Sequence, residues 1–258
     1  MKLVILSGGK GTRISEESIL KPKPLIEIGN MPIIWHIMKI YSHFGIKEFI
    51  ICCGYKGYLI KEYFANYSLH ASDVTININK NTIEVHKKKA EDWKITLVDT
   101  GENTLTGGRI LRIKNYIKED FLLTYGDGVA DINIKKLIKF HKLNKKLATM
   151  SVVQPQGRFG VVEIEKNNLI KNFSEKPRGD GSWINGGFFV LKQEIFKYLK
   201  DDQTIWEKEP LETLSKKKEL CAYHHKGFWY AMDTMRDKSY LDSLWNTNKA
   251  PWNLWHEK

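Results

Sequence analysis

The chain has 258 residues, 42% hydrophobic and 28% charged, which is ordinary globular usage and excludes a disordered, collagen-like or disulfide-stapled chain. Forty-one Lys and Arg against 30 Asp and Glu leave a net charge of +11, a balance that suits an anionic partner. The lysines are scattered, and the runs Lys87-Lys88-Lys89 and Lys216-Lys217-Lys218 are too short for a nucleic-acid tail, so neither nucleic acid nor a membrane is an expected partner.

In chain order, Lys2 to Leu6 is a short apolar run that predicts a buried strand. Ile34, Ile37, Met38 and Tyr41 recur at helical spacing, with Gly45 as the stop. Phe49 to Cys53 reads as the next strand, and Leu59, Ile60, Tyr63, Phe64 and Tyr67 as the next helical stripe. Val74, Ile76 and Ile78 alternate, as do Ile83 and Val85, so a hairpin is predicted around Asn79 to Asn81. Phe121 to Tyr125 predicts a strand, and Ile134, Leu137 and Ile138 a helix. Beyond Gly160 come shorter strands, Val161 to Ile164, Ile170 to Phe173 and Gly186 to Leu191, and a helix from Thr234 to Trp245. Strands alternating with helices imply an α/β fold with a mostly parallel sheet. No Pro- or Ser-rich linker interrupts it, so one compact domain is expected.

No apolar run approaches the ~18 residues of a membrane helix. The first residues lack the long apolar stretch of a secretory signal, so the cytoplasm is the expected location. Cys52 and Cys53 adjoin and Cys221 stands apart, a poor disulfide framework that suits reducing surroundings. The eight histidines fall in no metal-binding spacing, and His36 on its amphipathic helix reads as structural. Trp245, Trp252 and Trp255 read as packing or subunit-contact residues.

The strongest chemical signal is Leu6-Ser7-Gly8-Gly9-Lys10-Gly11-Thr12-Arg13, directly after the first predicted strand. Glycines let backbone amides approach phosphate oxygens with no Cβ in the way, and Arg13 adds a fixed-charge fork. The glycines at 8, 9 and 11 do not fit the dinucleotide fingerprint, and Lys10 precedes Gly11 where a Walker loop needs it after. Alone, the segment fits a tight strand-to-helix turn equally well. Lys21-Pro22-Lys23-Pro24 then adds a cation on a stiff, non-helical stretch. Asp127 follows the predicted strand Phe121 to Tyr125, at the end where α/β sheets bind ligands.

GGKGTR followed by KPKPLIEIGNMPIIWHIM resembles the N-terminal signature of the sugar-phosphate nucleotidyltransferases. WINGGFFV, TGENTLTGGR and GFWYAMDT resemble the branch of that family that joins CTP to α-D-glucose 1-phosphate, and the likeness runs along essentially the whole chain. The resemblance implies a Rossmann-like, mostly parallel mixed sheet flanked by helices, with a β-hairpin insertion and a β/helical C-terminal part. Residues 1–130 would mainly bind nucleotide and 131–258 sugar phosphate. It also implies Mg²⁺ as cofactor, CTP and a sugar 1-phosphate as small-molecule substrates, CDP-glucose for deoxysugar and surface-polysaccharide synthesis, and a homo-oligomer.

By the same resemblance, Leu6, Ser7, Gly8, Gly9, Gly11 and Thr12 form the phosphate loop, and Arg13 grips the triphosphate. Lys23 serves the α-phosphate, and Thr104 and Arg109 contact CTP. Asp127 and Asp233 hold the metal, while Gly160, Glu175, Lys176, Asn185 and Gly186 bind the sugar phosphate. Arg13, Lys23 and Asp127 are the expected catalytic residues. Blander readings stand beside these: a capped helix start with an exposed arginine for Thr104 and Arg109, a helix N-cap for Asp233, and a polar turn for Glu175-Lys176-Pro177. Another nucleotide or acceptor, or a non-catalytic sensor, are the alternative functions.

Overall fold

The computed structural model describes residues 1–87, 90–155, 157, 161–175 and 182–255, leaving aside the side chains of residues 13, 15, 16 and 87. In chain order the elements begin with β1 (Leu3–Ser7), a 3-10 turn Thr12–Ile14, α1 (Ser15–Ser18) and a second 3-10 turn Lys23–Leu25. There follow β2 (Glu27–Ile28), β3 (Met31–Pro32), α2 (Ile33–His43), β4 (Glu48–Cys53), α3 (Gly57–Ala65) and α4 (Tyr67–His70). Then come β5 (Asp73–Asn77), β6 (Thr82–Lys87), β7 (Lys94–Asp99), α5 (Thr106–Arg112), β8 (Phe121–Tyr125), β9 (Gly128–Ala130) and α6 (Ile134–Asn144). The chain continues through β10 (Ala148–Val153), β11 (Val161–Ile164), β12 (Ile170–Ser174), β13 (Ile184–Leu191), α7 (Glu209–Lys216), β14 (Leu220–His224), β15 (Trp229–Ala231) and α8 (Met235–Asn246).

Among the described residues the main sheet has seven strands in the order β14-β10-β13-β8-β1-β4-β7. β8, β1, β4 and β7 are parallel neighbours, as are β10 and β14, and β13 runs antiparallel between β8 and β10. The central strands are largely apolar because both faces are covered, whereas the edge strands β7 and β14 are half-exposed. Leu3, Ile5, Phe49, Ile51, Phe188 and Val190 feed one core layer. Val4, Leu6, Ile50, Cys52, Phe189 and Leu191, the alternating positions, feed the other. The expected mixed, mostly parallel α/β sheet is therefore present.

The predicted helix ending before Gly45 is α2, and Gly45 takes φ +90 while its N–H donates to the Ser42 carbonyl at 2.9 Å. The stripe through Tyr67 divides instead into α3 and α4. The β5–β6 hairpin turns at Asn81, φ +49. Around Lys23, where no helix was expected, a single 3-10 turn forms with Pro24 inside its first turn, where the missing N–H does no harm.

His36 is fully buried among Trp35, Trp245 and Trp252. Trp252 Nε1 donates to its Nδ1 at 3.4 Å, so Nε2 carries the proton toward the Ile28 carbonyl at 3.0 Å. Burial pushes its pKa down to about 4. The C-terminal tryptophans thus pack onto α2. Cys52 and Cys53 are buried free thiols, and burial pushes Cys53 up to about 11.

Candidate active site

The parallel strands β1, β4, β7 and β8 end together, and the glycine loop follows β1 there. Gly8 has no room for a side chain, because a Cβ would lie 2.1 Å from Nη1 of Arg109. Gly11 takes φ +63, and its carbonyl accepts from Ser18 Oγ and the Ile14 N–H, both at 3.0 Å. Gly9 is exposed with open space where a Cβ would sit. Thr12 is exposed at the start of the following 3-10 turn.

Arg109 departs from the blander expectation of an exposed arginine, being 4% exposed. Its Nη2 donates to the carbonyls of Gly8 (3.0 Å) and Glu102 (3.2 Å). Its Nη1 donates to Gly101 O (2.7 Å), Thr100 Oγ1 (2.8 Å) and Cys53 O (3.3 Å). The guanidinium thus ties the ends of β1, β4 and β7 together from beneath the loop. Burial pushes its pKa down from the ordinary arginine value. Thr104 is buried beside it, its Oγ1 2.7 Å from where a Gly101 Cβ would be.

The paired glycines of this stretch serve packing. Gly107 and Gly108 donate to the Thr204 carbonyl at 2.9 and 3.2 Å, and a Cβ on either would meet the 202–204 backbone within 2.8 Å. The first-turn amides of α5 are therefore taken up by this chain's own carbonyls.

Lys23 lies at the centre. Its side chain is 11% exposed, and its Nζ donates to Asp127 Oδ2 and Asp233 Oδ1, each at 2.7 Å. Asp127 is delivered by the turn after β8. A Cβ on Gly126 would fall 2.9 Å from Ser7 Oγ, so this turn sits directly on the end of β1. Asp233 is delivered by β15, which pairs antiparallel with β9, and the Met232 N–H donates to the Asp127 carbonyl at 2.9 Å. The N-cap of α8 is Thr234, in a capping box with Asp237, rather than Asp233. That leaves the Asp233 carboxylate to face Lys23.

Two carboxylates and one ammonium carry a net −1, and the oxygens are hard donors already arranged about a cation. That donor set fits Mg²⁺, which takes few carboxylates and completes its shell with phosphate and water. Among the described residues no group of three His, Cys, Asp or Glu side chains could hold a metal by themselves.

A cavity of about 310 Å³ opens beside this trio, lined by Asp127, Asp233, Asn185, Gly186, Glu207 and Trp229 among others. Asn185 Nδ2 donates to Tyr125 Oη at 3.2 Å, and its Oδ1 accepts from the Gly187 N–H at 2.8 Å. Trp229 Nε1 donates to the Gly186 carbonyl at 2.7 Å, fixing the indole on the cavity wall. The structure therefore brings Lys23, Asp127, Asp233, Asn185 and Gly186 together. Glu175 is exposed just after β12 and does not line the cavity. Gly160, Lys176 and the Arg13 side chain lie outside the described residues. Tyr125, Glu207 and Trp229 were missed as site residues. Trp229 falls within a quoted motif and Tyr125 ends a predicted strand, whereas Glu207 carries no periodic or motif signal.

The nucleotidyl transferase family matches residues 2–250. The chain is 58% identical over 257 residues to the glucose-1-phosphate cytidylyltransferase of Salmonella typhi, covering 99% of this chain and 100% of that one. It is likewise 58% identical to the Salmonella typhimurium (strain LT2) glucose-1-phosphate cytidylyltransferase, with the same coverage. A solved UDP-glucose pyrophosphorylase complexed with UDP-glucose superposes with TM-score 0.67 at 18% identity, over 96% of this chain and 98% of that one, a likeness of fold.

Proposed function

From the premise that the chain belongs to the nucleotidyl transferase family, we infer that it transfers the cytidylyl group of CTP to glucose 1-phosphate, releasing pyrophosphate. The observation that carries the reading is Lys23 held at 2.7 Å from both Asp127 and Asp233 beside the glycine loop. The choice of cytosine and glucose rests on the 58% identity to relatives of that activity.

The reaction is an in-line displacement in which a phosphate oxygen of the sugar phosphate attacks the α-phosphorus of CTP and pyrophosphate leaves. No enzyme nucleophile is needed, only positioning and neutralisation of two repelling anions. The loop Leu6 to Thr12, pinned from below by Arg109, offers amides to the triphosphate, with Thr104 alongside. Arg13 grips the leaving pyrophosphate, and Lys23 serves the α-phosphate. Asp127 and Asp233 would hold Mg²⁺, which when bound neutralises phosphate charge. Asn185 and Gly186 receive the sugar phosphate, with Glu175, Lys176 and Gly160 as its further expected contacts. On this reading residues 1–130 serve mainly nucleotide and 131–258 mainly acceptor.

The test is pyrophosphate release from each nucleoside triphosphate with glucose 1-phosphate and other sugar phosphates, with and without Mg²⁺. Turnover is expected with CTP, glucose 1-phosphate and Mg²⁺ together. Preference for another nucleotide, or binding without turnover, would sink it.

A homo-oligomer is part of this reading. The β11–β12 hairpin pairs Val162 with Phe173 and Ile164 with Ile170, all well exposed. An isolated two-stranded hairpin is marginal in water, so an apolar face of this kind favours cover by a second copy. Light scattering should give a multiple of 30.0 kDa, reduced in Phe173→Asp; a monomer in the unsubstituted protein rejects the idea.

A further inference from the structure

We propose that Glu207 and Tyr125 are positioning residues that couple the nucleotide side of the site to the acceptor side. Thr106 opens α5, two residues past Thr104, and its Oγ1 meets Glu207 Oε2 at 2.6 Å. Tyr125 ends β8, two residues before Asp127, and its Oη meets Glu207 Oε1 at 2.6 Å. Asn185 Nδ2 reaches the same Oη at 3.2 Å.

Chemistry fixes the direction of each bond. A carboxylate only accepts, so both hydroxyls donate to Glu207. The Thr106 oxygen then accepts from the Trp206 N–H at 2.9 Å, and the Tyr125 oxygen accepts from Asn185. The Gly187 N–H on Asn185 Oδ1 fixes which end of that amide faces Tyr125. One carboxylate on the cavity wall thus orients Thr106, two residues from the proposed nucleotide contact Thr104, and, through a tyrosine, the Asn185 amide.

The inference rests on reading Asn185 as an acceptor-side residue. Without the Tyr125 hydroxyl, the Asn185 amide loses the partner that holds its Nδ2 end. Loss of one intramolecular hydrogen bond corresponds to a change of about twofold to about tenfold in KM, and a bond held on the cavity wall belongs at the upper end. Steady-state kinetics of the full chain with CTP, glucose 1-phosphate and Mg²⁺ test this. For Tyr125→Phe we expect KM for glucose 1-phosphate up about tenfold, with KM for CTP and kcat within about twofold. For Glu207→Gln, of the same size, both KM values should rise.

A double-mutant cycle separates acting through Asn185 from acting beside it. The Tyr125→Phe, Asn185→Ala double variant should match Asn185→Ala alone; additive effects overturn the coupling. If Asn185→Ala raises KM for glucose 1-phosphate but Tyr125→Phe does not, the coupling fails alone. If Asn185→Ala leaves that KM unchanged, the acceptor-side reading and the coupling fail together. A parallel rise of both KM values in Tyr125→Phe also overturns it, since that is general loosening.

Discussion

Lys23→Met should lower kcat by about 10²–10³-fold while the chain stays folded, by analogy with loss of a single donor that stabilises charge in a transition state. The ammonium is the only described cation within hydrogen-bond distance of both Asp127 and Asp233. Its removal leaves that carboxylate pair to repel without the shared partner, and it withdraws a positive charge from the phosphorus where two anions must meet. The 11% exposure of the side chain limits how far water can substitute. Lys23→Arg should not restore the rate, because a planar fork does not reproduce a compact ammonium held 2.7 Å from two carboxylates at once. Pyrophosphate release at saturating CTP, glucose 1-phosphate and Mg²⁺, with circular dichroism as the fold control, measures it. A kcat within threefold of the unsubstituted chain would remove Lys23 from the chemistry.

Arg109→Met should cost about 3 kcal/mol of stability, read as the shift in urea midpoint. The guanidinium supplies donors to the buried Gly8 O and to the part-buried Gly101 O and Glu102 O, and a buried acceptor stripped of a partner costs ~1–3 kcal/mol, a part-buried one less. The Gly8 carbonyl keeps the Tyr55 N–H at 3.1 Å, and Cys53 O keeps the Thr100 N–H at 2.9 Å, so those losses are partial. Relief from burying a charge offsets some of the rest. Arg109→Lys should recover little, since one ammonium cannot span the ends of three strands. An unchanged midpoint with a raised KM for CTP would mean that Arg109 acts on the nucleotide and not through the loop.

These two residues mark what the sequence made legible. Lys23 and Asp127 could be found because each stands beside a local signal, a proline-stiffened stretch and the end of an apolar strand. The strands through the sheet centre were visible because burial on both faces makes continuous apolar runs, as in Phe49 to Cys53. The burial of Arg109 was not legible, because a buried arginine and an exposed one look alike until the strand ends converge on it. The packing role of the glycines at 107 and 108 was hidden for the same reason, since their neighbours are carbonyls almost a hundred residues away. Asp233 as an N-cap failed by one residue, since Thr234 and Asp237 form a better box. Glu207 was invisible because its partners come from α5, β8 and no neighbouring segment.

The Asp127–Lys23–Asp233 bridge joins residues 210 positions apart along the chain. A nascent polypeptide carries its glycine loop long before the second carboxylate has been synthesised. On the proposed mechanism turnover waits for residue 233 to be made, and an ordered cation bridge forms only after synthesis and folding have passed it.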